Sequence, residues 1–165
     1  MDEKVREAFY QAYTGEAKAA LRLKIFAKRA EQDGYPQMAR LFRVIAVSEE
    51  IHGERGLRML REIKNTEENL NEAFESETQV AGVAYDNFIK MANEAGEEAA
   101  ARIFSESRDV EDFHARLYKE AMGHLMEERE TTYYVCKVCG YPSGGVLPDE
   151  CPVCGAGKDQ FFEYK

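Results

Sequence analysis

The sequence predicts an all-α four-helix bundle followed by a small metal-bound β/loop module. Three observations carry that prediction. Apolar residues recur at helical spacing through residues 1–129, a part of that stretch repeats after 62 residues, and all four cysteines fall in the last thirty residues. The chain of 165 residues holds one ordinary domain and a small appendage, which excludes a large multidomain architecture. Hydrophobic residues make up 44% and charged residues 32%, enough apolar material for a core and too much for wholesale disorder.

Val5, Phe9, Ala12, Tyr13, Ala20, Leu23, Ala27 and Ala30 lie one, three, four or seven apart, which marks an amphipathic first helix ending near Gln32. Gly34 accepts the left-handed turn after a helix, and Pro36 pre-sets the first turn of the next. The second helix is expected to run to Lys64 and to bury Met38, Leu41, Phe42, Ile45, Leu60 and Ile63. Asn69, with Glu72 three residues on, is the expected N-cap of a third helix that ends about Ala95. After the break at Gly96, a fourth helix is expected to turn Ile103, Phe104, Leu117, Ala121 and Leu125 inward. Helices of roughly 25 to 30 residues are about 40 Å long, the length of a bundle helix. Met38, Met59, Met91 and Met122 are expected to fill core, His124 to lie at a surface or helix end, and Glu67-Glu68 to be a solvated connection.

Charge narrows the function. Acids outnumber bases 31 to 22, a net charge of −9, and no dense Lys/Arg block offsets it, so a nucleic-acid partner is excluded. No apolar run is long enough to cross a bilayer, and Met1-Asp2-Glu3 stands where a secretory signal needs bases, so no membrane partner and a cytoplasmic location are expected. Composition divides the chain into 1–129 and 130–165: three of the four prolines and five of the twelve glycines share the last thirty residues with the cysteines.

Inside the apolar stripes sit four acids. Glu16 continues Phe9, Ala12 and Tyr13; Glu49 follows Ile45; Glu77 lies between Phe74 and Ala84; Glu111 follows Phe104 by seven residues. Burying an ionised carboxylate costs several kcal/mol even after relaxation, so four together call for a compensating cation. Two of them begin Glu-x-x-His strings, Glu49 to His52 and Glu111 to His114, and residues three apart on a helix share a face. The repeat gives these strings weight: Ala39-Arg40-Leu41-Phe42 before Glu49 recurs 62 residues later as Ala101-Arg102-Ile103-Phe104 before Glu111. One Glu from each of two helices plus Glu-x-x-His from each of the other two is the donor set of a carboxylate-bridged di-iron or di-manganese centre. Four carboxylates balance two divalent ions, and an oxo bridge keeps two trivalent ions neutral. Zinc could use the same ligands, but an oxygen-rich set with two imidazoles suits iron or manganese better.

In the tail, Cys136-Lys137-Val138-Cys139-Gly140 and Cys151-Pro152-Val153-Cys154-Gly155 form two Cys-x-x-Cys knuckles separated by eleven residues. Four thiolates bind iron or zinc, and ligand count does not separate the two. Tyr133, Tyr134, Tyr141, Phe161, Phe162 and Tyr164 are expected to make a small core around the metal, and the ending Cys-Gly-Ala-Gly-Lys-Asp-Gln-Phe-Phe resembles rubredoxin. A zinc ribbon is the alternative.

With both modules in this order, the chain resembles the rubrerythrin family over essentially its whole length. Gly15-Glu16, Phe26-Ala27, Ala39 to Phe42, Glu49 to His52, Asn69-Leu70, Glu111 to His114 and the cysteine knuckles carry the resemblance. It implies a ferritin-like bundle over 1–129, a rubredoxin-like domain over 130–165, and a non-haem peroxidase that reduces hydrogen peroxide to water in protection against oxidative stress. It implies Glu16, Glu49, His52, Glu77, Glu111 and His114 as ligands of a di-iron centre, oxo- or hydroxo-bridged when oxidised, and Cys136, Cys139, Cys151 and Cys154 as ligands of one iron. Electrons are then expected from a reduced-nicotinamide-dependent rubredoxin reductase or a rubredoxin. Tyr85, eight residues after Glu77, matches a family tyrosine that can hydrogen-bond a ligand carboxylate.

Two positions depart from the family. Val80 stands where a second glutamate usually switches on and off the iron, and Leu23 where a tyrosine usually flanks it. Without the switch, His52 is expected to be a permanent ligand, as in bacterioferritin-like sites, which raises ferroxidase or oxygen reductase as an alternative. A non-catalytic metal-binding module is a further one. A tail leaving the fourth helix near one end of a bundle is expected to reach a partner's di-iron site rather than its own, hence a head-to-tail homodimer, with the connection between helices two and three as a point where helices can be exchanged.

Overall fold

The computed structural model describes residues 1–123 and 131–164. His124, Leu125 and the expected boundary between 129 and 130 lie outside the described residues. The chain divides into two compact units, Met1–Lys64 and Asn65–Lys165.

The first unit is a hairpin of α1 (Glu3–Gln32) and α2 (Pro36–Leu60). The Asp2 side chain accepts a hydrogen bond from the Lys4 N–H at 3.0 Å and caps α1. Gly34, at φ 82°, turns the chain after α1, and Pro36 opens α2 as expected. α2 stops at Leu60 rather than Lys64, because Arg61 takes a left-handed conformation at φ 61° and the N–H groups of Arg61 and Glu62 close on Arg58 and Leu57. Ile63 is therefore outside the helix and exposed.

The seam between α1 and α2 is made of small side chains. Ala39, Ala46, Gly53 and Leu60 are buried at intervals of seven, facing Ala20, Ala27 and Ala30 on α1. A Cβ on Gly53 would lie 3.8 Å from Tyr13 and 3.9 Å from Glu16, so the two helices run close. Small residues at the seam leave the large ones beside it: Val5, Met38, Leu41, Ile45 and Met59 are exposed, contrary to the burial that periodicity alone predicts, while Phe42 is half-buried against Ala27, Ala30 and Ala39.

The second unit pairs α3 (Thr66–Gln79) and α4 (Tyr85–Glu94), joined by a π-helical turn at Val80–Ala84, with α5 (Glu98–Gly123). The third helix begins four residues earlier than expected. The Asn65 side chain accepts from the Glu68 N–H at 2.9 Å, and the Asn69 N–H already donates to the Asn65 carbonyl as part of the helix. In the π turn the Tyr85 N–H reaches back to the Val80 carbonyl, one residue further than an α-helix allows. Ile103 and Met91 are exposed, and Ala81, Ala92, Ala101, Val110 and Ala115 are the buried side chains.

β1 (Tyr133–Cys136), β2 (Pro142–Gly144) and β3 (Phe161–Tyr164) form a three-stranded antiparallel sheet in the order β2-β1-β3. Tyr141, just before β2, and Phe161, the first residue of β3, are buried near the cysteines, whereas Tyr133, Phe162 and Tyr164 are exposed, so only part of the expected aromatic core forms. The core of this module continues onto a helix: Val110 of α5 is buried with Cys136, Tyr141, Cys151 and Phe161.

Candidate metal centres

Each of the two units assembles one triad, and the two triads share the same chemistry. In the first, Glu16 of α1 meets Glu49 and His52 of α2, with one ligand atom from each inside 4.8 Å of the others. His52 Nδ1 lies 3.2 Å from a Glu49 carboxylate oxygen and 3.9 Å from one of Glu16. In the second, Glu77 of α3 meets Glu111 and His114 of α5 in the same way. His114 Nδ1 lies 2.7 Å from Glu111 and 3.8 Å from Glu77. The same ring nitrogen faces the same two carboxylates in the same order, so the sequence repeat is also a repeat of geometry.

Local structure explains the convergence. The i, i+3 spacing stacks each carboxylate–imidazole pair on one helix face, and the small seam at Gly53 lets α1 present Glu16 to it. None of the six is fully buried: five are half-buried and His52 is exposed. The dry core expected for these acids is not what calls for a cation; crowding of like charges is. The Glu16 carboxyl is held above its ordinary range, first by the hydrogen bond it shares with Glu49 and then by burial, while the same hydrogen bond and His52 hold Glu49 below it. Glu77 is raised by burial and then by the Glu111 charge. Each triad thus favours a proton on one of its carboxylates more than a free carboxylate does, and a divalent ion would satisfy the same oxygens.

The cysteine knuckles are a second ligand set. Cys136, Cys139, Cys151 and Cys154 place their sulfurs inside 4.8 Å of one another. Cys136 and Cys154 Sγ are 3.8 Å apart, and Cys139 and Cys151 Sγ 3.6 Å. Tetrahedral coordination at metal–sulfur bonds of about 2.3 Å requires edges of about 3.8 Å, which these two pairs match. Gly140 and Gly155, at φ 85° and 72°, turn the chain after each pair, and their N–H groups close on the Cys136 and Cys151 carbonyls. Burial opposes the Cys136 thiolate, but the N–H groups of Cys139 and Val138 outweigh it and lower its pKa. Burial pushes the Cys139 and Cys154 thiols up.

Tyr85, singled out with the ligands, follows the π turn and packs its ring against Phe88 and Phe104 at centroid distances of 5.8 and 6.3 Å. Phe113 and Val110, which sequence reasoning passed over, connect the two kinds of site. The Phe113 ring meets Tyr141 edge-on at 4.6 Å and 85°, one residue from His114. The signal was present in the sequence as two apolar residues, each one position before a ligand.

Fold and donor chemistry together define a ferritin-like di-iron protein with a rubredoxin-like iron module attached. The family model described as Rubrerythrin matches residues 7–122, and that described as Rubrerythrin, rubredoxin-like domain, matches residues 134–162. The chain belongs to the rubrerythrin family. Rubrerythrin-2 of Clostridium acetobutylicum is 30% identical over 170 residues, covering 93% of this chain and 92% of that protein. Nigerythrin of Nitratidesulfovibrio vulgaris is 29% identical, covering 93% of this chain and 83% of its own. A solved mixed-valent state of nigerythrin superposes with a TM-score of 0.60 at 29% identity, over 96% of this chain and 86% of that one. The cofactors are accordingly a di-iron site at the Glu/His cluster and an iron at the four cysteines, as in nigerythrin. No helix among the described residues is long and apolar enough to cross a membrane.

Proposed function

We propose that this protein is a peroxidase that takes two electrons and two protons to convert hydrogen peroxide to two waters, at a di-iron centre held by Glu16, Glu49, His52, Glu77, Glu111 and His114. Cys136, Cys139, Cys151 and Cys154 would hold a further iron, which would supply one-electron relay chemistry. The matching geometry of the two triads, Nδ1 to carboxylate in each, carries this reading, because two one-electron metals at matched positions would together supply the two electrons that peroxide takes. Iron at these positions supplies reversible one-electron chemistry.

The chain's own residues supply the rest. The four carboxylates would neutralise two divalent ions, and a bridging oxide would offset the charge added on oxidation. His52 and His114 fix the outer edge of each triad through Nδ1. Tyr85 serves as the hydrogen-bond donor to a ligand carboxylate, its ring held by Phe88 and Phe104. Residues 1–129 form the catalytic part and 130–165 the electron-relay part. Electrons come from a reduced-nicotinamide-dependent rubredoxin reductase or a rubredoxin, in the cytoplasm. The working unit is a homodimer: Leu21, Ile25, Leu41, Val44, Ile45 and Val47 are exposed on one hairpin, and covering a large aliphatic side chain stabilises by about 1.5–3 kcal/mol.

A second reading, ferroxidase or oxygen reductase, is favoured by Val80, which starts the π turn three residues after Glu77 and supplies no carboxylate. Anaerobic mixing of the reduced protein with peroxide and, separately, with oxygen distinguishes the two. Peroxide should reoxidise the iron at least tenfold faster than oxygen, and Val80→Glu should raise the peroxide rate further. A faster reaction with oxygen selects the second reading, and reaction with neither removes both.

A further inference from the structure

The two hairpins repeat more than their ligands. Phe26 and Phe42 of the first meet edge-on at a centroid distance of 5.8 Å, and Phe88 and Phe104, each 62 residues on, meet at 5.5 Å. Ala30 and Ala92, also 62 apart, are both buried. Nearer the start of each hairpin the interval is one residue shorter. Glu77 follows Glu16 by 61 residues, and buried Ala81 follows buried Ala20 by 61. The second hairpin therefore carries one extra residue between Ala81 and Phe88, where the chain makes the π turn at Val80–Ala84. α1 runs unbroken through the corresponding stretch.

Both ends of that stretch are pinned to the same partner helix. In the first hairpin Glu16 faces His52 at 3.9 Å and Phe26 meets Phe42, so ten residues of α1 lie against ten of α2. In the second, Glu77 faces His114 at 3.8 Å and Phe88 meets Phe104, so eleven residues lie against ten of α5. Just after the turn, Asp86 pairs with Arg108 of α5 at 3.4 Å and adds a third pin. An extra residue carried as ordinary α-helix would advance one end by about 1.5 Å and rotate it by about 100°. Either Glu77 would leave its triad or Phe88 would leave Phe104. The π turn absorbs the residue instead: the Tyr85 N–H reaches the Val80 carbonyl, and Gly82 and Val83 are exposed. Tyr85 gains its direction from the same adjustment. Eight residues of straight helix would leave it about 80° round from Glu77, whereas seven leave it within about 20°, the place that Leu23 takes after Glu16.

We infer that the π turn is a one-residue insertion that sets register. It holds Tyr85 on the stripe of Glu77 while Phe88 stays locked to Phe104, so the second hairpin presents a phenol where the first presents Leu23. The turn itself consists of valine, alanine and glycine and offers no donor side chain, so it acts through what it aligns. Use of that phenol as a hydrogen-bond donor to a ligand carboxylate rests on the proposed function; the register does not.

The test uses the full-length protein, metal-free and loaded anaerobically with ferrous iron. Deletion of Val83, or of Gly82, leaves ten residues against ten. Either variant should melt no lower than wild type and keep its iron. Exchange at the Ala84 and Tyr85 amides should slow about tenfold, because α-helical bonds replace the wider turn. Deletion of Leu21 leaves nine against ten in the first hairpin, and should lower the melting temperature and release iron from the first triad. Tyr85→Phe should weaken ferrous-ion binding by the same factor, within twofold, in wild type and in the Val83-deleted protein. One tolerated deletion in the turn suffices. The inference is overturned if both melt below wild type or lose iron, if exchange at Ala84 and Tyr85 is unchanged, or if deletion of Leu21 is tolerated equally well. It is overturned too if Tyr85→Phe weakens binding in wild type alone. If wild type binds no iron outside its cysteines, the di-iron function fails, and if Tyr85→Phe changes nothing in either background, the donor role of Tyr85 fails. Melting and exchange of the metal-free proteins decide the register in both cases.

Discussion

At Glu77, burial and the neighbouring Glu111 carboxylate both favour the protonated acid and hold its pKa above the ordinary carboxylate range in the metal-free protein. The folded-state pKa lies above the unfolded value of about 4.3. The stabilisation this brings is complete at pH below the unfolded value and is lost as pH rises through the raised one. Glu77→Gln removes that loss. In the metal-free protein the variant should melt higher than wild type at pH 7, and the difference should vanish near pH 4, as followed by circular dichroism. In the loaded protein the order should reverse, because Gln offers a weaker ligand. Equal melting of the two metal-free proteins across this range would show that the carboxylates do not crowd one another in solution.

At the scale of the element, the α1–α2 seam sets the first triad. A Cβ at position 53 meets its neighbours at 3.8 and 3.9 Å, ordinary contact, so Gly53→Ala should be tolerated and should gain up to about 1 kcal/mol of helix propensity. Gly53→Leu does not fit; it should cost about 1–3 kcal/mol and, by pushing Glu16 away from Glu49 and His52, should remove one metal per chain while the second triad stays loaded. Denaturant titration and metal analysis of both variants check this. The two Glu/Glu/His clusters were legible in the sequence because helical spacing dictates which residues share a face. The third-helix cap was not, since Asn65 to Glu68 and Asn69 to Glu72 present the same Asn-x-x-Glu signal and only tertiary context chooses between them. Composition does not mark the π turn either: Val80 to Ala84 are ordinary helix residues, and the extra residue shows in the reach of the Tyr85 N–H. The seam was visible as Ala39, Ala46, Gly53 and Leu60 at intervals of seven, but hydrophobicity ranks alanine and glycine below the leucines and isoleucines that it leaves exposed.

For the whole molecule, the chain joins two ways of holding iron, one with hard carboxylate and imidazole donors and one with soft thiolates, and each would be unremarkable alone. On the proposed function, their combination would make an oxidant site that can be refilled. That combination was legible from the repeat and the knuckles, whereas the contact between them was not, because Phe113 reads as one more apolar residue on an amphipathic helix. The central claim is that six oxygen and nitrogen ligands hold two irons and four sulfurs hold one. Mössbauer spectroscopy of protein assembled with enriched iron measures it most directly: about three irons per chain, in a two-to-one ratio of carboxylate/imidazole-type to tetrahedral sulfur-type signals, is the result expected. A protein that binds iron only at its sulfur site, or that takes zinc at both and stays colourless, would contradict the account.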